Sequence, residues 1–103
     1  MTEQLQGSVS TRANVYFDGK CVSHSITLAD GTKKSVGVIL PSTLKFNTGT
    51  PEVMELIVGA CRVRLAGSDA WTVYTGGQSF SVPGQTSFDI EVSEALHYIC
   101  HFG

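Results

Sequence analysis

The chain predicts an all-β domain, a small β-barrel or jelly roll, on three observations. Short alternating or β-branched apolar runs recur along it, separated by Gly, Pro and Asp turn signals about every 8–12 residues. No stretch carries the apolar period of a helix or the heptads of a coiled coil. At 103 residues with 42% hydrophobic content, the chain suits one compact domain that buries a core without staples.

Residues 1–13 are polar, with Ser8, Ser10 and Thr11. They read as a flexible N-terminal extension that can pair late with a sheet edge. The domain itself is expected over residues 14–103. Val22 to Leu28 is a strand, closed by the hairpin signal Asp30-Gly31. Lys34 to Leu40 is nearly continuous in apolar and β-branched residues, and Pro41 stops it. Thr43 to Thr48 alternates, with Leu44 and Phe46 on one face and Lys45 and Asn47 on the other.

Val53 to Val58 is the most apolar stretch. Its length, its Val and Ile content and the following glycine favour a buried strand over a helix. Gly59-Ala60 is expected to bend the chain before a separate strand, Cys61 to Leu65. That strand sets Arg62 and Arg64 on one face and Cys61, Val63 and Leu65 on the other. Trp71 to Tyr74 and Gln78 to Val82 follow, divided by Gly76-Gly77. Pro83-Gly84 turns the chain. Phe88 to Val92 alternates with Asp89 and Glu91 outward, and Ala95 to Phe102 closes the chain. The total is roughly nine strands.

The formal net charge of −2 does not advertise a nucleic-acid partner. No apolar run is long enough to span a bilayer. The N-terminus lacks the basic and then apolar segments of a signal peptide, so the chain reads as cytoplasmic. Cys21, Cys61 and Cys100 are odd in number and widely spaced. They read as small buried hydrophobes, with no C-x-x-C to suggest zinc. A catalytic thiol would need a basic neighbour in space.

Two segments carry the most information. Glu52-Val-Met-Glu-Leu-Ile-Val-Gly59 reads E-x6-G, and Gly77 to Gly84 reads G-x5-P-G. They resemble the skeletons of the two cupin signatures, G-x5-H-x-H-x3,4-E-x6-G and G-x5-P-x-G-x2-H-x3-N. In cupins the histidines and the glutamate converge on one metal. Here Phe46 to Thr50 occupy the region of the first two histidines, and the last falls near Phe88. Only Glu52 remains of the four ligands. One carboxylate does not hold a transition metal tightly, so no metal is expected. The resemblance places Glu52 inside the barrel; the plainer reading is a solvent carboxylate at a strand end.

The histidines offer no better metal site. His97 and His101 share a strand face but lie about 13 Å apart, and His24 belongs to another strand. His101 as an acid/base group is the sharper alternative to a surface histidine. Nucleophile-elbow, P-loop and dinucleotide motifs are absent. Arg62 and Arg64 suit an exposed strand face as well as a phosphate or interface role.

A more specific resemblance runs through several dispersed segments. They are Asn14-Val-Tyr16-Phe17-Asp-Gly19-Lys20, Ser35-Val36-Gly37-Val38, Pro51-Glu52-Val-Met54 with Gly59-Ala60, the run from Trp71 through Val82-Pro83-Gly84 to Phe88, and Tyr98-x-Cys100. In order and spacing they resemble the small bacterial pyrimidine/purine nucleoside phosphorylase family, from about Asn14 to the C-terminus. The departures are the N-terminal extension and the terminal Phe102-Gly103.

That resemblance implies a homodimeric, metal-independent single-domain cupin with no cofactor. It would phosphorolyse purine and pyrimidine nucleosides to free base and pentose 1-phosphate, with phosphate as co-substrate. Glu52 is then expected on the ribose hydroxyls. Lys20, Ser35 or Arg62 would hold phosphate. Tyr16, Phe88 and Tyr98 would stack on the base or shape its slot, which suits broad specificity because every base has a π-face. Nucleic acid and membrane are not expected as partners. The main alternative is a non-catalytic cupin that binds a small molecule or sugar. Others are a metal-dependent cupin with unorthodox ligands and a purely structural dimer; fold alone does not separate them.

Overall fold

The computed structural model describes residues 4–102. Among them the chain forms nine strands in one antiparallel sheet that curls over a single core. They are β1 (Ser8–Val9), β2 (Asn14–Tyr16), β3 (Cys21–Thr27), β4 (Lys33–Ile39), β5 (Ser42–Asn47), β6 (Glu52–Leu65), β7 (Thr72–Thr75), β8 (Ser79–Val82) and β9 (Ser87–Phe102). A 3-10 turn, Phe17–Gly19, joins β2 to β3. The sheet order is β1-β3-β4-β9-β6-β7, with β2 on β3, β5 on β9 and β8 on β6. This is the expected all-β, single-domain architecture.

Two long strands organise it. The first half of β9 lies between β5 and the second half of β6. Its second half lies between β4 and the first half of β6. β6 likewise carries β8 beside its first half and β7 beside its second. Each long strand therefore serves both layers. Alternation then aims Leu56, Ile90, Leu96 and Val82 into the shared interior, where all are almost fully buried. Each such side chain contributes about 1.5–3 kcal/mol of burial.

The expected count of strands is met by different strands. Val53 to Val58 and Cys61 to Leu65 are not separate; they are one strand, β6, of 14 residues. Phe88 to Val92 and Ala95 to Phe102 likewise merge into β9, of 16 residues. The glycine bends the strand without ending it. Gly59 has φ of 111°, and the β6–β9 register slips at Val58, Ala60 and Cys61. This is bulge geometry, in which pairing resumes after a local twist. The two N-terminal strands replace the two that merge.

The N-terminal segment is held to the sheet from Ser8 onward. Ser8 and Val9 pair with Thr27 and Ile26, and His24 donates through Nδ1 to the Ser10 carbonyl at 2.9 Å. The expected flexible extension over residues 1–13 thus contributes an edge strand. The ends of the expected segments, residues 1–3 and Gly103, lie outside the described residues.

The two motif segments abut. Glu52 pairs with Val82 across β6 and β8. A Cβ on Gly84 would stand 3.0 Å from the Gly49 carbonyl oxygen, so the Pro83-Gly84 corner packs directly on the turn that launches β6. Thr48 binds the corner by donating from Oγ1 to the Pro83 carbonyl at 2.7 Å. The Gly76-Gly77 turn also binds β6: Gly77 donates its N–H to the Leu56 carbonyl, and Gly76 donates to that of Gly59.

Candidate functional site

Alternation on β3, β4, β6 and β9 brings hydrogen-bonding side chains onto the inner face at one end of the fold. Ser23, Ser35, Glu52, Tyr98 and Cys100 project there and line a cavity of about 170 Å³. Gly37 stands between Ser23 and Tyr98 across the ladders, and a Cβ there would come within 2.8 Å of the Ser23 Cβ, so the close approach of these strands requires glycine. The cavity's other walls are apolar and aromatic: Tyr16, Phe46, Phe88 and Phe102, with Ile39 and Met54. A mostly apolar hollow with a few convergent polar groups is the usual form of a small-molecule site.

The polar wall is internally connected. Tyr98 places its hydroxyl 3.4 Å from Cys21 Sγ, and Ser23 lines the same wall. Burial raises the Tyr98 phenol above its ordinary range, so it stays a neutral donor. Glu52, Cys100 and Ser35 are neighbours across β6, β9 and β4 on this wall. Burial pushes the Glu52 carboxyl up, and the Cys100 thiol partly offsets this. Cys100 itself is pushed up to about 12, first by burial and then by the neighbouring carboxylate.

The aromatic wall is a continuous run from rim to core. Phe17 meets Phe46 edge-on at 5.3 Å, and Phe46 stacks on Phe88 at 5.6 Å and 22°. Phe88 then meets Phe80 edge-on at 6.0 Å. Phe17 and Asp18 both hold left-handed backbone angles, with φ of 53° and 55°. That conformation is costly for a bulky residue. It turns the chain sharply after Tyr16 and sets the Phe17 ring against Phe46 at the rim.

Five of the seven side chains expected in the site line this cavity: Tyr16, Ser35, Glu52, Phe88 and Tyr98. Arg62 does not reach it. Cys61 and Val63 take the inner face of β6, so Arg62 points outward. There it holds Glu91 through two bonds of 3.0 and 3.2 Å and lies 4.3 Å over the Trp71 ring. Lys20 is exposed and is also not among the lining residues. Its backbone N–H donates to the Phe17 carbonyl, which anchors it to the turn that follows Tyr16.

His101 stands outside the cavity as well. Lys34 Nζ donates to its Nδ1 at 2.6 Å, and its Nε2 lies 2.9 Å from Glu55 Oε1. A lysine donating at Nδ1 leaves the Nε2 hydrogen directed at the carboxylate. Sequence reasoning missed Ser23, Phe46, Asn47, Cys100 and Phe102 as lining residues. A signal existed for Cys100, which lies two residues from Tyr98 on a strand and so shares its face.

The donor set does not suit a transition metal. The cavity's side chains of ligand type are one carboxylate and one thiol, with no imidazole. Among the described residues, no three His, Cys, Asp or Glu side chains are grouped to hold an ion. No helix is long and apolar enough to cross a membrane.

With this geometry in place, comparison with known proteins decides the family. The profile of the pyrimidine/purine nucleoside phosphorylase family matches residues 11–102. The chain belongs to that family. It is 67% identical over 104 residues to the pyrimidine/purine nucleoside phosphorylase of Leptothrix cholodnii, covering 100% of both chains. It is also 67% identical over 105 residues to that of Aromatoleum aromaticum, covering 100% of this chain and 98% of the relative. A crystal structure of a protein of unknown function from Acinetobacter sp. ADP1 superposes with a TM-score of 0.94 at 48% identity, covering 97% of this chain and 98% of that one.

More distant structures share the fold alone. FeII HppE aligns at 10% identity with a TM-score of 0.74, and Bacillus subtilis oxalate decarboxylase at 18% with 0.66. These place the phosphorylase family chain among cupin-like barrels.

Proposed function

We propose that the cavity binds a nucleoside and phosphate, and that the protein cleaves the glycosidic bond by phosphorolysis without a metal. The observation that carries this reading is the division of the cavity into a polar wall around Glu52 and an aromatic wall around Phe88. A nucleoside has the same division, a hydroxyl-rich sugar joined to a flat π-face. The small cavity suits the sugar, with the base lying against the mouth where Tyr16 is exposed. Membership of the family supports the same assignment.

In the reaction, a phosphate oxygen forms a bond to C1′ as the C1′–N bond breaks. The electron pair of that bond stays with the base. The proton released by hydrogen phosphate ends on the leaving base nitrogen, so charge and atoms balance. Positive charge develops on the sugar between the two events, as in glycoside cleavage. Glu52 accepts hydrogen bonds from the ribose hydroxyls and fixes C1′ in place. A carboxylate nearby also favours a cationic sugar. Ser35 and Tyr98 supply neutral donors. Ser35 hydroxyl and the Lys20 ammonium, on its long stem beside the rim turn, are the groups proposed for phosphate. Arg62 is omitted because it faces outward.

Stacking against Tyr16 at the mouth reads no base edge, which suits acceptance of both purines and pyrimidines, while Phe88 shapes the inner slot. The protein is proposed to act as a cytoplasmic homodimer. The test is incubation with uridine or adenosine, with and without phosphate, with base and pentose 1-phosphate as readouts. A second reading, a sugar-binding cupin without catalysis, rests on the same polar wall. It is separated by binding without base release.

A further inference from the structure

Cys100 is a cavity residue with no role in the reaction described above. It faces Met54 across the β6–β9 ladder, while Glu52 faces Phe102. Glu52 and Cys100 are therefore diagonal neighbours on the inner face, where a long side chain such as glutamate can reach across, and both line the cavity. On the other side, Ser35 stands directly opposite Cys100 across β4 and β9. The three side chains form a row, Ser35 to Cys100 to Glu52, across three adjacent strands, and all three line the cavity.

The chemistry of the thiol fixes its part in this row. Burial and the adjacent carboxylate keep it as S–H through the neutral range. It is therefore a donor and not a thiolate nucleophile. An ionised carboxylate offers about four acceptor sites. One donor at a fixed position orients the group and leaves the others for a ligand. A lysine or arginine in the same place would hold the carboxylate more strongly and compete with a neutral hydroxyl for it. A thiol is a weak donor, so it steers the group without that competition.

We propose that Cys100 is a positioning residue, whose thiol, backed by Ser35, anchors one Glu52 oxygen and aims the remaining acceptor sites at the ribose hydroxyls. The ribose part of this statement rests on the nucleoside reading; the anchored carboxylate does not.

The test uses the full chain and the variants Cys100→Ala, Cys100→Ser and Ser35→Ala. Carbon-13 NMR of labelled glutamate follows the titration of Glu52 in the free protein, with Glu52→Gln identifying its signal. Removing the donor in Cys100→Ala is expected to raise the Glu52 midpoint by about one unit, the equivalent of one hydrogen bond to a charged group. Cys100→Ser should restore it, and Ser35→Ala should give a smaller rise. In phosphorolysis, Cys100→Ala should lower kcat/KM about 10-fold and move its acid limb upward, with Cys100→Ser recovering most of the loss. An unchanged Glu52 midpoint in Cys100→Ala overturns the proposal, even where the melting temperature falls. A shifted midpoint in a folded protein that releases no base keeps the anchor and overturns the nucleoside reading.

Discussion

Glu52 and Val82 are cross-strand partners, so the first residue of one motif sits directly against the end of the other. The relationship explains why both corners are tightly built. The turn before Glu52 and the Pro83-Gly84 turn brace each other, and between them they fix the strand end from which Glu52 enters the cavity. Replacing Glu52 therefore tests chemistry with little change in scaffold.

Glu52→Gln should lower kcat/KM for nucleosides by about 10²–10⁴-fold, the loss of one or two hydrogen bonds to a charged acceptor. Steady-state kinetics checks this. Full activity with unchanged affinity would remove Glu52 from the sugar site.

The same substitution should stabilise the fold at neutral pH. The folded Glu52 carboxyl titrates above its ordinary range because burial penalises its charge. A raised carboxylate lends its stability below the unfolded value and loses it as pH rises through the folded value. At pH 7 the wild type carries a buried charge that glutamine does not. Glu52→Gln should therefore melt higher than wild type at pH 7, and the difference should shrink as the pH falls toward the ordinary glutamate range. Melting temperatures at pH 7 and pH 4 measure it. A variant less stable at both would mean that the carboxylate is a net contributor to the fold.

Gly59→Ala should cost about 2 kcal/mol or more. The glycine has φ of 111°, and a Cβ there would stand 2.4 Å from the Ala95 carbonyl oxygen. Both strain and clash fall on the bulge that lets β6 run on past its midpoint. Urea unfolding gives the value. A loss below about 0.5 kcal/mol would show that the backbone can shift to accept a side chain.

Trp71→Ala should lower stability by about 1–2 kcal/mol and leave phosphorolysis intact. The Trp71 ring lies under both guanidinium groups, at 4.3 Å from Arg62 and 4.7 Å from Arg64. Both arginines also hold carboxylates, Glu91 and Asp89. This cluster ties the segment before β7 to the outer face, away from the cavity. A selective loss of phosphate affinity in this variant would return Arg62 to the site.

Much of the architecture was legible because alternation is a local signal. Leu44, Val63, Ile90 and Val92 each fall on the inner face that their strand pattern assigns. The division of β6 and β9 was not legible, because a glycine that ends a strand and one that bulges it look alike in sequence; the neighbouring strand decides. Glu52, Ser35, Tyr98, Phe88 and Tyr16, chosen from dispersed segments, line one cavity. Arg62 illustrates the opposite limit. Its pattern set it on the same face as Arg64, but which side of the sheet that face took depended on the register with β9. Ser23 and Cys100 went unread because small polar residues on a strand resemble ordinary core filling until a carboxylate is placed beside them.

Cleavage of nucleosides by phosphate without a metal is the activity proposed for this cavity. The measurement is base release from uridine and adenosine by purified, folded protein, with and without phosphate, after treatment with a strong chelator. Free base and pentose 1-phosphate are expected from both nucleosides, only when phosphate is present and undiminished by the chelator. No base release, or release abolished by the chelator and restored by added metal, would contradict it.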